Sequence, residues 1–100
     1  MRLPQLLNSE SHRITHLVAE TNYTTIFFED ASRLLVSRTL SYCTEHLPGF
    51  MRIHRGCAIN LTYVYEVRTE GVPFVVLMGG ETLAISRRRL FGVVKRVEKH

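Results

Sequence analysis

No run of about 18 apolar residues occurs in this sequence, so nothing in it is expected to span a bilayer. The start, Met1-Arg2-Leu3-Pro4-Gln5-Leu6-Leu7-Asn8, has a basic residue but too short an apolar stretch for a signal peptide. Cysteine is scarce: Cys43 and Cys57 cannot make a disulfide framework, and without an export signal a reducing cytoplasm is expected. A catalytic carboxylate pair is missing too, the adjacent Glu29-Asp30 lying in a chain reversal. Glu66, Glu70 and Glu81 sit singly around turns and exposed strand positions. No G-x-S-x-G elbow or P-loop occurs, and Gly79-Gly80 is a lone glycine pair in a hairpin. These absences argue against an enzyme and against any cofactor. Tyr23, Tyr42, Tyr63 and Tyr65 are scattered, without the paired stacking motif of an RNA-recognition sheet.

What is present fits one small domain. The chain has 100 residues, 45% of them hydrophobic, enough for a modest core. Residues 1–11, with Pro4, Asn8, Ser9 and Ser11, read as a loose N-terminal arm, and residues 12–100 as the domain, with no repeat or linker inside it. Ile14–Val18 and Tyr23–Glu29 read as strands around a Thr21-Asn22 break, and Glu29–Ser32 reverses the chain into Leu34–Val36. Ser37 or Thr39 can cap a short helix running to about Leu47, with Leu40, Cys43 and Leu47 on one stripe, before Pro48-Gly49 ends it. Tyr63–Thr69, Phe74–Met78 and Thr82–Ile85 read as further strands. A last helix follows from about Arg87 to Val97, with Leu90, Val93, Val94 and Val97 on one face. The expected fold is mainly β: short antiparallel strands and hairpins in small sheets, one short internal helix and a C-terminal helix.

Charge is unevenly spread. Residues 1–49 carry four Arg against five acids; residues 50–100 carry nine Arg or Lys against four acids, so the second half supplies all of the net +4. Eleven of the thirteen basic residues are Arg, the type suited to bidentate contact with phosphate and guanine. A solvated basic face explains the charge alone equally well. Position discriminates better. In Phe50–Val64, apolar Met51 and Ile53 alternate with Arg52 and His54 up to Arg55, then the pattern breaks at Gly56 and resumes as an apolar run ending at Asn60. Alternation of this kind marks a half-buried strand whose Arg52 and His54 share the face open to a ligand.

Ser86-Arg87-Arg88-Arg89 is the second unusual stretch. Ser86 is a good N-cap, yet three arginines fill the first turn, where the helix dipole makes each cation cost about 0.3–1 kcal/mol. An external anion reverses that sign, since free N–H groups and arginines together form a phosphate site. Arginines swung back to solvent are the competing reading. Cys43-x-x-His46 and His54-x-x-Cys57 have zinc-ligand spacing, but Cys43 falls on the apolar stripe and His54 and Cys57 flank a break, so no metal site is expected.

Several segments in order resemble the LytTR DNA-binding domain, the output domain of many bacterial response regulators in two-component systems. They are Asn22–Ile26, the hairpin into Leu35–Leu40, Phe50–Arg55, Ile59–Leu61 and Ala84–Leu90, and the likeness spans about His12 to Val97. The resemblance implies compact antiparallel sheets whose loops enter successive major grooves of double-stranded DNA to regulate transcription. It implies contacts from Asn22, Tyr23, Thr24 and Thr25, from Arg52, His54 and Arg55, and from Ser86, Arg87 and Arg88, with Arg89 added by the basic turn. Two copies on direct repeats are the family's usual arrangement. No receiver domain of about 120 residues fits in a one-domain length, so an excised output domain, or a stand-alone regulator controlled by its abundance or by a separate signalling protein, is expected.

Within that scheme Arg87 is expected to read a guanine edge, with Arg88 and Arg89 as phosphate clamps or, for one of them, a solvated side chain. Arg52 fits a phosphate or a brace to Glu66. His54 fits a donor to the DNA or a support under the loop, and Asn60 is expected to tie the loop's own backbone. A module docking an acidic partner, or an RNA-binding domain, are the alternatives.

Overall fold

The computed structural model describes residues 1–100. Eight strands form two antiparallel sheets: β1 (Ile14–Ala19), β2 (Thr24–Phe28), β3 (Arg33–Val36), β4 (Phe50–His54), β5 (Cys57–Asn60), β6 (Val64–Arg68), β7 (Phe74–Leu77) and β8 (Thr82–Ala84). The larger sheet has the order β3-β2-β1-β5-β4 and the smaller β6-β7-β8. Helices α1 (Leu3–Glu10), α2 (Leu40–Glu45) and α3 (Arg87–Lys99) complete the chain. The mainly β architecture expected from the sequence is therefore the one observed.

The larger sheet separates two apolar clusters. On one side Leu7 of α1 and Leu40 and Cys43 of α2 pack with Leu47 on Ile14, Leu17, Ile26 and Ala58. On the other, Ile53, Cys57 and Ile59 meet Val75 and Leu77 of β7, Ile85, and Val93 of α3. Strand β5 feeds both clusters by simple alternation, Cys57 and Ile59 one way and Ala58 the other. This central position explains why its sequence is an unbroken apolar run. In β1, a bulge between Ile14 and His16 resets the alternation, so Ile14 and Leu17 reach the same side although three residues apart.

The loose N-terminal arm is a correction. Residues 3–10 form α1, the Gln5 Oε1 accepts the Arg2 N–H at 3.0 Å, and Leu7 is completely buried. Pro4 misleads as a loop signal, because proline is well tolerated in the first helical turn where no N–H partner is needed. Of the two capping choices for α2, Thr39 is used: its hydroxyl accepts the Tyr42 N–H at 3.0 Å. No helix is long and apolar enough to cross a membrane.

Candidate nucleic-acid interface

The segment after Phe50 is a hairpin, β4 turning at Arg55-Gly56 into β5. His54 Nδ1 accepts the Gly56 N–H at 3.0 Å. That bond fixes the tautomer of the neutral ring and leaves Nε2–H as a donor. Burial, then the nearby Arg52 and Arg89 cations, hold the His54 pKa below its ordinary value, which keeps the ring neutral. His54 therefore supports the turn and still carries a free N–H. Arg55, at the tip, is exposed.

Arg52 does not brace to Glu66, as one expectation had it. Its Nη2 donates to Ser41 Oγ on α2 at 3.0 Å, while Glu66 pairs with Arg68 at 2.7 Å. Desolvation, followed by the proximity of Arg89, lowers the Arg52 pKa, the mark of cations gathered without a counter-ion. The remaining ion pairs, Arg13–Glu10 and Arg13–Asp30, lie elsewhere.

The start of α3 is pinned beside β4, because the Ser86 N–H donates to the Ile53 carbonyl at 2.9 Å. Ser86 occupies the N-cap position, but its side chain makes no capping bond, which corrects the expected cap. Its hydroxyl and the N–H groups of Arg87 and Arg88 thus remain available, while the Arg89 N–H donates to the Ser86 carbonyl at 3.0 Å; Arg87 and Arg88 are exposed and Arg89 half-buried. No acid stands in that turn. The second and third expected regions are consequently one continuous basic surface.

The first region is used differently. Asn22 and Tyr23 are exposed and, with Arg52 and Arg55, line a cleft of about 520 Å³. Thr24 is completely buried, and its hydroxyl donates to the Arg38 carbonyl at 2.7 Å. Thr25 turns away from that cleft, toward the sheet surface shared by Val18, Phe27 and Leu35. The structure therefore places neither threonine at the cleft. Arg38 and Tyr42, which line it, were not anticipated from the sequence.

A family model for the LytTr DNA-binding domain matches residues 6–98. The chain belongs to the LytTr DNA-binding domain family. A structure described as the LytTr DNA-binding domain of a methyl-accepting/DNA response regulator from Bacillus cereus superimposes with a TM-score of 0.75. The two chains are 18% identical, and the match covers 86% of this chain and 82% of that one, a likeness of fold. No curated protein sequence matches.

Three further residues of this LytTr domain, Asn60 and the two cysteines, have structural duties. Asn60 does more than tie its own loop: Nδ2 donates to the Ile14 carbonyl at 2.9 Å, and Oδ1 accepts the Thr62 N–H at 3.1 Å. It joins β5 to the start of β1. The cysteines lie in separate clusters on opposite sides of the sheet, and burial pushes the Cys57 thiol up to about 12.

Proposed function

We propose that this LytTr domain binds double-stranded DNA with sequence specificity and regulates transcription, its loops entering successive major grooves. The observation that carries the reading is the cluster of Arg52, Arg55, Arg87, Arg88 and Arg89, none in an ion pair, on two adjoining elements that also hold the His54 N–H. Such a cluster is costly for the free chain and favourable against phosphates, whose contacts release counterions. Arg87 reads a guanine edge with its two-pronged guanidinium, and Arg88 and Arg89 hold phosphates near the free N–H groups of α3. His54 offers a single neutral donor to a base or phosphate acceptor. Asn22 and Tyr23 reach the same duplex from the first loop, whereas Thr24 and Thr25 make no contact.

Two copies on direct repeats, in the bacterial cytoplasm, complete the reading. Gel shifts on a duplex selected from a random library test it. Arg87→Ala is expected to cost about 1–3 kcal/mol of discrimination at one base pair, while Arg88→Ala weakens all duplexes alike. Discrimination left intact by Arg87→Ala, with only the salt dependence changed, contradicts the base-reading role.

A further inference from the structure

The geometry points to Arg38, held in place by Tyr42, as a clamp for a backbone phosphate of the bound duplex in the cleft between the first loop and the β4–β5 turn. This rests on the DNA-binding reading and adds a fourth contact element to it, the segment from β3 into α2. Arg38 is fixed at both ends. Its carbonyl accepts the buried Thr24 hydroxyl at 2.7 Å, and its guanidinium lies 4.6 Å from the centre of the Tyr42 ring. Tyr42 is fixed in turn, its N–H bonded to Thr39 and its ring set edge-on to His46 at 5.1 Å.

The neighbouring residue on α2, Ser41, holds Arg52 at 3.0 Å. Two consecutive α2 side chains thus aim two arginines into one cleft of about 520 Å³, which Arg55 also lines. Glu20, the one carboxylate lining that cleft, pairs with none of them. Stacking leaves the donor edge of a guanidinium free while restricting its rotamers, so little freedom is lost when a phosphate oxygen arrives. A phosphate contact positions the duplex and carries no base information. Arg38 is accordingly a positioning residue, set beside Asn22 and Tyr23 on one side and Arg55 on the other.

The test measures affinity for a library-selected duplex and for an unrelated duplex of equal length across a range of salt concentrations. Arg38→Gln is expected to lower the slope of log K against log salt by about 0.9, and hence to weaken both duplexes about fivefold at 0.15 M salt. Their ratio and the melting temperature stay unchanged, since Arg38 is exposed. Tyr42→Leu weakens both duplexes less and leaves the slope alone, and Tyr42→Phe restores wild-type binding. An Arg38→Gln slope equal to wild type, while Arg87→Ala still loses discrimination, overturns the clamp and spares the DNA reading. A wild-type chain without salt-dependent binding to either duplex overturns both.

Discussion

The first loop and the start of α3 both place a small hydroxyl residue beside exposed polar side chains, yet the two hydroxyls are used in opposite ways. Thr24 is buried and spends its hydroxyl on the Arg38 carbonyl, whereas the Ser86 side chain makes no capping bond although it stands at a helix N-cap. A hydroxyl can satisfy itself on the nearest backbone group, so its presence in a loop says little about where it points. An arginine has no such freedom, because burying its charge without a partner is prohibitive. Charge keeps Arg87 and Arg88 outside and Arg89 no deeper than half-buried; nothing in the sequence commits Thr24 to either side.

Removing the charge from one region and the hydroxyl from the other separates the two uses. Arg87→Ala, Arg88→Ala and Arg89→Ala combined remove two phosphate contacts and one base contact, which is expected to lower the salt slope by about 1.8 and affinity for the selected duplex by at least about a hundredfold at 0.15 M salt. The same variant gains thermal stability, because each cation costs about 0.3–1 kcal/mol beside the positive end of α3. Thermal melting and anisotropy titration on one preparation read both effects. A loss of stability there would mean that the arginines serve the fold.

Thr24→Val should behave in the reverse sense. The side chain keeps its volume, the hydrogen bond to Arg38 is lost, and stability falls by about 1 kcal/mol in denaturant titration. The preference among duplexes is expected to survive. A changed base preference would return Thr24 to the contact surface and erase the distinction between the two regions.

The smallest effect concerns protons. His54 and His16 both have pKa values lowered chiefly by burial, so the unfolded chain binds more protons than the folded one below about pH 6.5. Stability is therefore complete above that pH and is lost as pH falls through it toward the lower folded-state values. Protonation also ends the acceptance of the Gly56 N–H by His54 Nδ1. Melting temperatures across that window should decline toward acid, and His54→Gln should flatten part of the decline. A melting temperature that rises on acidification would show that the two imidazoles are stabilised in their charged forms.

Local patterns foretold much of the fold. The apolar run of β5 and the Leu90, Val93 and Val97 stripe of α3 are visible in sequence, and Val93 is fully buried as the stripe requires. Helix α1 is masked in the sequence by Pro4, which reads as a breaker, although Leu3, Leu6 and Leu7 have helical spacing. At the interface, the arginines of β4–β5 and α3 were legible as charges. Arg38 was not, because it lies in the acid-rich half of the chain, and its place beside Arg52 and Arg55 comes from α2, whose Tyr42 and Ser41 meet Arg38 and Arg52 although β3 and β4 are opposite edges of the sheet. The sheet order β3-β2-β1-β5-β4 is likewise a long-range outcome that no local window contains.

The most direct measurement is a salt titration of the chain against four probes: a library-selected duplex, an unrelated duplex, single-stranded RNA of equal length and an acidic polypeptide. A DNA-reading surface built from Arg52, Arg55 and Arg87–Arg89 predicts that the selected duplex binds tighter than the unrelated one by orders of magnitude, with both slopes steep and RNA and polypeptide weaker. Equal affinity for the two duplexes, or tighter binding of the RNA or the acidic polypeptide, would contradict it.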